Sequence, residues 1–119
     1  MSIKNAKMVD VLSISEDERE VLLTISDHLP WNMEMDRHIQ LLRDKINTYL
    51  AFIESGELLE AYPKAVGLKP VIRTIGKYPL NAQGHEFYAT ARKVIERAGF
   101  DLRFETLEER KAKRLADRS

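Results

Sequence analysis

Six apolar side chains, Met35, Ile39, Leu42, Ile46, Tyr49 and Ile53, recur at spacings of four, three, four, three and four. That rhythm follows the turn of an α-helix and gathers them into one stripe. Leu41, Leu50 and Phe52 widen the stripe, while Arg37, Arg43, Asp44, Lys45 and Glu54 are read onto the opposite side. A helix that is apolar on one side needs a second layer to cover it. Asn32, or Asp36 one turn later, is placed to cap its start. Gly56 is placed to end it in the left-handed conformation, and ELLEAY (57–62) adds a further turn closed by Pro63.

The runs on either side supply that layer. VDVLSI (9–14) and EVLLTI (20–25), separated by the polar SEDER, read as an antiparallel hairpin. Leu22 and Leu23 are adjacent and both apolar, which points to burial on both faces of the second strand. KPVIRTIGKY (69–78) reads as a third strand, with Val71, Arg73 and Ile75 on one face and Ile72, Thr74 and Tyr78 on the other. HEFYATARKVIERAG (85–99) reads as a second amphipathic helix with Phe87, Ala91, Val94, Ile95 and Ala98 inward and Gly99 past its end. FDLRF (100–104) alternates strictly, with Phe100, Leu102 and Phe104 inward.

The order strand, strand, helix, strand, helix, strand predicts an α+β two-layer sandwich. A four-stranded mixed sheet would carry both helices on one face. Residues 1–105 would form this single domain. Residues 106–119 would be a basic polar tail, either a surface helix or disordered, since only Leu107 and Leu115 are large and apolar there.

Composition bounds the chemistry. There is no cysteine, which removes disulfides, thiolate metal sites and cysteine nucleophiles and suits a reducing cytoplasm. MSIKNAKMVD has no apolar core of the signal-peptide kind, and no apolar run approaches a membrane span. The expectation is a cytoplasmic, bacterial-type protein with no membrane partner. Net charge is zero but unevenly spread: residues 1–63 carry 6 Lys/Arg against 12 Asp/Glu, and residues 64–119 carry 13 against 7. The halves are expected to neutralise one another on packing. A neutral chain exerts little long-range pull on nucleic acid, which argues against that partner.

SDHLPW (26–31) sets Ser26, Asp27 and His28 side by side, the three residue types of a hydrolase triad. Neighbours on a strand point to alternating faces and cannot converge on one substrate atom, so adjacency is no evidence for catalysis. The stretch reads instead as a hinge. Ser26 and Asp27 accept local backbone bonds, Pro30 turns the chain, and Trp31, the only tryptophan, pins the helix start to the sheet. His28, Trp31 and His38 remain the candidate pocket for an enzyme, ligand or metal site. Asp27, His28, Asp36 and His38 lack metal-ligand spacing, because Asp36 and His38 face different directions on a helix. The five glycines are scattered, so no phosphate-cradling loop exists, and no cofactor is expected. Glu54, Glu57 and Glu60, near Asp44, read as a solvated helix end.

The sheet's second face is the candidate interface: Val71, Arg73, Ile75, Lys77, Tyr78 and Arg103. Arg and Tyr anchor interfaces. With helices on one face only, Val71 and Ile75 would lie exposed on the other, unless the tail or a second copy covers them. Arg73 could pair with Asp101 across the sheet. The leading expectation is a non-enzymatic interaction domain that binds another protein, itself first, as a homodimer. The alternatives are the pocket above and a weak nucleic-acid contact through Arg73, Lys77, Arg103 and the tail.

Two strings, LTISDHLPW (23–31) and KINTYLAFIESGELLEAYP (45–63), followed by a strand and ERAGFDLRF (96–104), resemble a family of small bacterial proteins known as domain of unknown function 6572. The likeness covers most of residues 9–105. It implies a bacterial α+β domain and carries no catalytic residues to transfer.

Overall fold

The computed structural model describes residues 11–31 and 35–117. Four strands, β1 (Val11–Ile14), β2 (Glu20–Asp27), β3 (Lys69–Gly76) and β4 (Asp101–Thr106), form one mixed sheet in the order β1-β2-β3-β4. β1 and β2 pair antiparallel, whereas β2–β3 and β3–β4 pair parallel. The helices are α1 (Met35–Glu54), α2 (Glu57–Ala61), α3 (Ala82–Arg97) and α4 (Leu107–Asp117), with a 3-10 turn at Pro63–Ala65. The fold is the expected α+β arrangement. The part of VDVLSI before Val11, and Asn32 as a cap, lie outside the described residues.

The two parallel steps run in the same direction across the sheet, so crossovers of the usual hand place α1 and α3 on the same face. Side chains on that face close the core: Val21, Leu23 and Ile25 from β2, Ile72 from β3 and Leu102 from β4, against Leu42, Ile46 and Tyr49 of α1 and Tyr88 and Ile95 of α3.

The buried stripe of α1 is rotated from the expected one. It runs through His38, Leu42, Lys45, Ile46 and Tyr49, leaving Met35, Ile39 and Ile53 only partly covered. The sequence pattern puts Lys45 on the solvent side, yet it is fully buried with its ammonium 5.4 Å from the Tyr49 ring centre. Lys45 lies three residues after Leu42 and four before Tyr49, on the same helix face, and its long alkyl stem packs like an apolar side chain. The Tyr49 hydroxyl donates to the Thr24 carbonyl at 3.0 Å, fixing α1 to β2.

In α3 the inward residues are Gly84, Tyr88 and Ile95, while Val94 is 57% exposed rather than inward. The helix starts three residues before His85 because the Asn81 side chain caps it, accepting from the Gly84 N–H at 2.8 Å. Gly56 and Gly99 hold φ of 88° and 93° past the ends of α1 and α3, the conformation in which glycine ends helices. The tail is helical through Asp117 and follows β4 directly.

Candidate functional site

The parallel strands β2, β3 and β4 end at Asp27, Gly76 and Thr106. The C-terminal ends of parallel strands are where α/β sheets gather their ligand sites. At the end of β2, the fully buried His38 donates from Nε2 to Asp27 Oδ2 at 2.6 Å. Trp31 stacks on the His38 ring with centroids 3.8 Å apart and planes 26° from parallel. Asp27 also accepts the Leu29 N–H on Oδ1 at 3.0 Å and the Lys77 N–H on its carbonyl at 2.8 Å. Asn81 donates to the Trp31 carbonyl at 3.1 Å, tying α3 into the same corner.

Of the expected pocket, Trp31 and His38 therefore meet, and His28 does not join them: it is exposed. Its position one residue beyond Asp27 turns it to the opposite side of the chain. Asp27, read as a local turn former, is that and also the partner of His38. Trp31 and His38 are 4% and 1% exposed, so the corner is sealed. His38 Nδ1 is buried without a hydrogen-bond partner among the described residues. No group of three or more His, Cys, Asp or Glu side chains among the described residues is placed to hold a metal ion. Beside the corner, Pro30, Trp31, Tyr78 and Asn81 line a shallow hollow of about 400 Å³.

Deeper in the same layer, the buried Tyr88 hydroxyl donates to Thr74 Oγ1 at 2.8 Å. Burial pushes this phenol well above the ordinary tyrosine range, and the negative charge of Asp27 adds to the shift.

The larger opening lies elsewhere, in a groove of about 1080 Å³. Five consecutive residues of β4 line it: Leu102, Arg103, Phe104, Glu105 and Thr106. Neighbours on a strand face opposite ways, so all five can border one groove only if it follows the strand's outer edge. Among the described residues β4 pairs with β3 alone, so that edge carries unpaired backbone groups. The groove crosses the second face through Arg73, Leu22 and Glu20 as far as Ser13 and Ile14 of β1, and is flanked by Arg92 of α3 and by Glu109, Arg110 and Lys113 of α4.

The second face differs from the expectation in one respect. Val71 and Ile75 are 0% and 9% exposed, not open to water. They sit in register with charged neighbours, Val71 beside Asp101 and Ile75 beside Glu105, and Glu105 is met by Arg110 and Lys113 of α4, so the tail helix reaches this face. Arg103 donates from both Nη atoms to Glu20, at 2.9 and 2.6 Å, and from Nε to Asp101 at 2.9 Å. These bonds, that to Glu20 first, hold its pKa above even the usual arginine range. The Glu20–Arg103 fork joins the acidic half of the chain to the basic half. Arg73 does not pair with Asp101; it donates to Thr24 Oγ1 at 3.0 Å and approaches Glu105 at 3.7 Å. Lys77 and Tyr78 are exposed beyond the strand end, with the Lys77 ammonium 5.5 Å from the Tyr78 ring centre.

The family model for the family of unknown function DUF6572 matches residues 1–108, from the first residue into the first turn of α4. The chain belongs to that family. The match takes in the hairpin, the Asp27–His38 corner and the whole of β4, so both candidate regions lie within the family's span, whereas Arg110 and Lys113 lie past its end. No curated protein matches the chain, and no solved structure does. No helix among the described residues is long and apolar enough to cross a membrane.

Proposed function

We propose that this member of the DUF6572 family is a protein-interaction domain whose first partner is a second copy of itself, joined along β4. The observation that carries this reading is the groove along the unpaired edge of a six-residue strand. Unpaired strand edges recruit further strands by main-chain hydrogen bonding. The side chains of β4 make it self-complementary. Antiparallel pairing centred on Phe104 sets Arg103 opposite Glu105 of the second copy, and pairing centred on Leu102 sets Arg103 opposite Asp101. Either register places unlike charges across the seam and an apolar pair at its centre, which favours cross-strand association. The sealing of His38 beneath Trp31 supports binding over catalysis, because a general base has to reach its proton.

Sedimentation of the full chain from micromolar to millimolar concentration tests the reading. The expected mass rises from 13.8 kDa towards twice that value. A mass fixed at 13.8 kDa throughout contradicts it.

A further inference from the structure

Arg73 and Arg103 are directly paired in register on β3 and β4, so two guanidinium groups share one face of the sheet. Like charges so placed repel unless carboxylates intervene. Arg103 has two, Glu20 and Asp101, within 2.6 and 2.9 Å. Among the described residues Arg73 has one carboxylate in reach, Glu105 at 3.7 Å, and that carboxylate is shared with Lys113 at 3.0 Å and Arg110 at 4.0 Å. Among the described residues three cations thus gather around Glu105 at one end of the groove, where Glu109 of α4 is a further carboxylate in the lining.

The Arg73 guanidinium is also under-used. Its side chain is 18% exposed, and Nε is buried with no hydrogen-bond partner among the described residues. Burial, then the charge of Arg110, lowers its pKa from the arginine norm, against the pull of Glu105. Nε is closed to a ligand, so an oxyanion meets the Nη end of this planar fork, in a residue that lines the groove and, among the described residues, gives one hydrogen bond, to Thr24 Oγ1.

We propose that Arg73, Arg110 and Lys113 form a binding site for a phosphate monoester group at the Glu105 end of the groove. A phosphate monoester carries about −1.5 to −2 at neutral pH and presents three acceptor oxygens, one for each of the three cationic side chains, whereas a carboxylate presents two. A small metabolite and a phosphorylated side chain present this group with the same chemistry. This site goes beyond the pairing of copies and does not depend on it.

The test is titration of the full chain followed through arginine side-chain Nε–Hε NMR signals. The probes are inorganic phosphate, glycerol 3-phosphate and a phosphoserine peptide, with sodium acetate and sodium chloride at matched ionic strength as controls. The proposal expects saturable shifts of Arg73 and Arg110 with the phosphate probes alone; the tighter of the two esters identifies the source. Arg110→Gln, on the outer helix, should weaken phosphate binding about tenfold. Glu105→Gln, which removes the internal competitor, should strengthen it by a similar factor. Shifts equal in phosphate and chloride, or unaltered affinity in Arg110→Gln with the fold intact by circular dichroism, overturn it. Sedimentation of the same samples reports pairing separately, so failure of one reading is distinguishable from failure of the other.

Discussion

His38 and Asp27 meet through a 2.6 Å hydrogen bond with both side chains 1% exposed. This contact closes the strand-to-helix corner that SDHLPW begins. Removing one partner of a buried ionisable pair leaves the other desolvated and uncompensated, at a cost of about 3–5 kcal/mol. His38→Ala and Asp27→Ala should each destabilise by about that amount in urea unfolding followed by Trp31 fluorescence. The double variant should cost clearly less than the sum, as expected for residues in direct contact.

Much of the fold was legible because each element carried its own period. The strict alternation of Asp101 to Phe104 and the glycines at 56 and 99 placed elements within a few residues. The inner faces were less legible. Lys45 and His38 look polar on a helical wheel, yet both are buried: His38 finds Asp27, eleven positions earlier, and Lys45 lies over the ring of Tyr49. Tyr88 was missed for the same reason as His38: its hydroxyl finds Thr74, fourteen positions earlier. Of the candidate pocket, Trp31 and His38 came together because the hinge folds α1 back over β2. Alternation separates His28 from Asp27, but which of the two faces α1 is set by the sheet, and β2 turns Asp27 inward. The groove along β4 had no local signal, as an edge is defined only once strand order is known.

Alkaline pH should expose Tyr88. Its folded pKa is raised, so its contribution to stability is intact below the unfolded value near 10 and is lost as pH rises beyond it, while the unfolded chain ionises and the folded one resists. Unfolding free energy should therefore fall above about pH 10. Tyr88→Phe should flatten that slope and remove the latest-titrating phase from the ultraviolet phenolate signal. An unchanged slope in the variant would show that the shifted group lies elsewhere.

Gly76 ends β3 directly beneath the Phe104 ring. A Cβ there would stand 2.7 Å from Phe104 Cζ and 3.1 Å from the Tyr78 carbonyl oxygen. Gly76→Ala should destabilise by about 1–3 kcal/mol through overpacking. Adding Phe104→Leu should recover part of the loss in thermal unfolding, because the ring is the nearer obstacle. No recovery would place the obstacle in the backbone at Tyr78.

The pairing of copies along β4 is tested most directly by backbone hydrogen exchange measured as a function of protein concentration. If β4 joins a second copy, amides of Asp101–Thr106 on the outer edge gain protection as concentration rises, while those of β1, the opposite edge, do not change. Exchange in β4 that stays fast and independent of concentration, or protection that appears at β1 instead, contradicts the account.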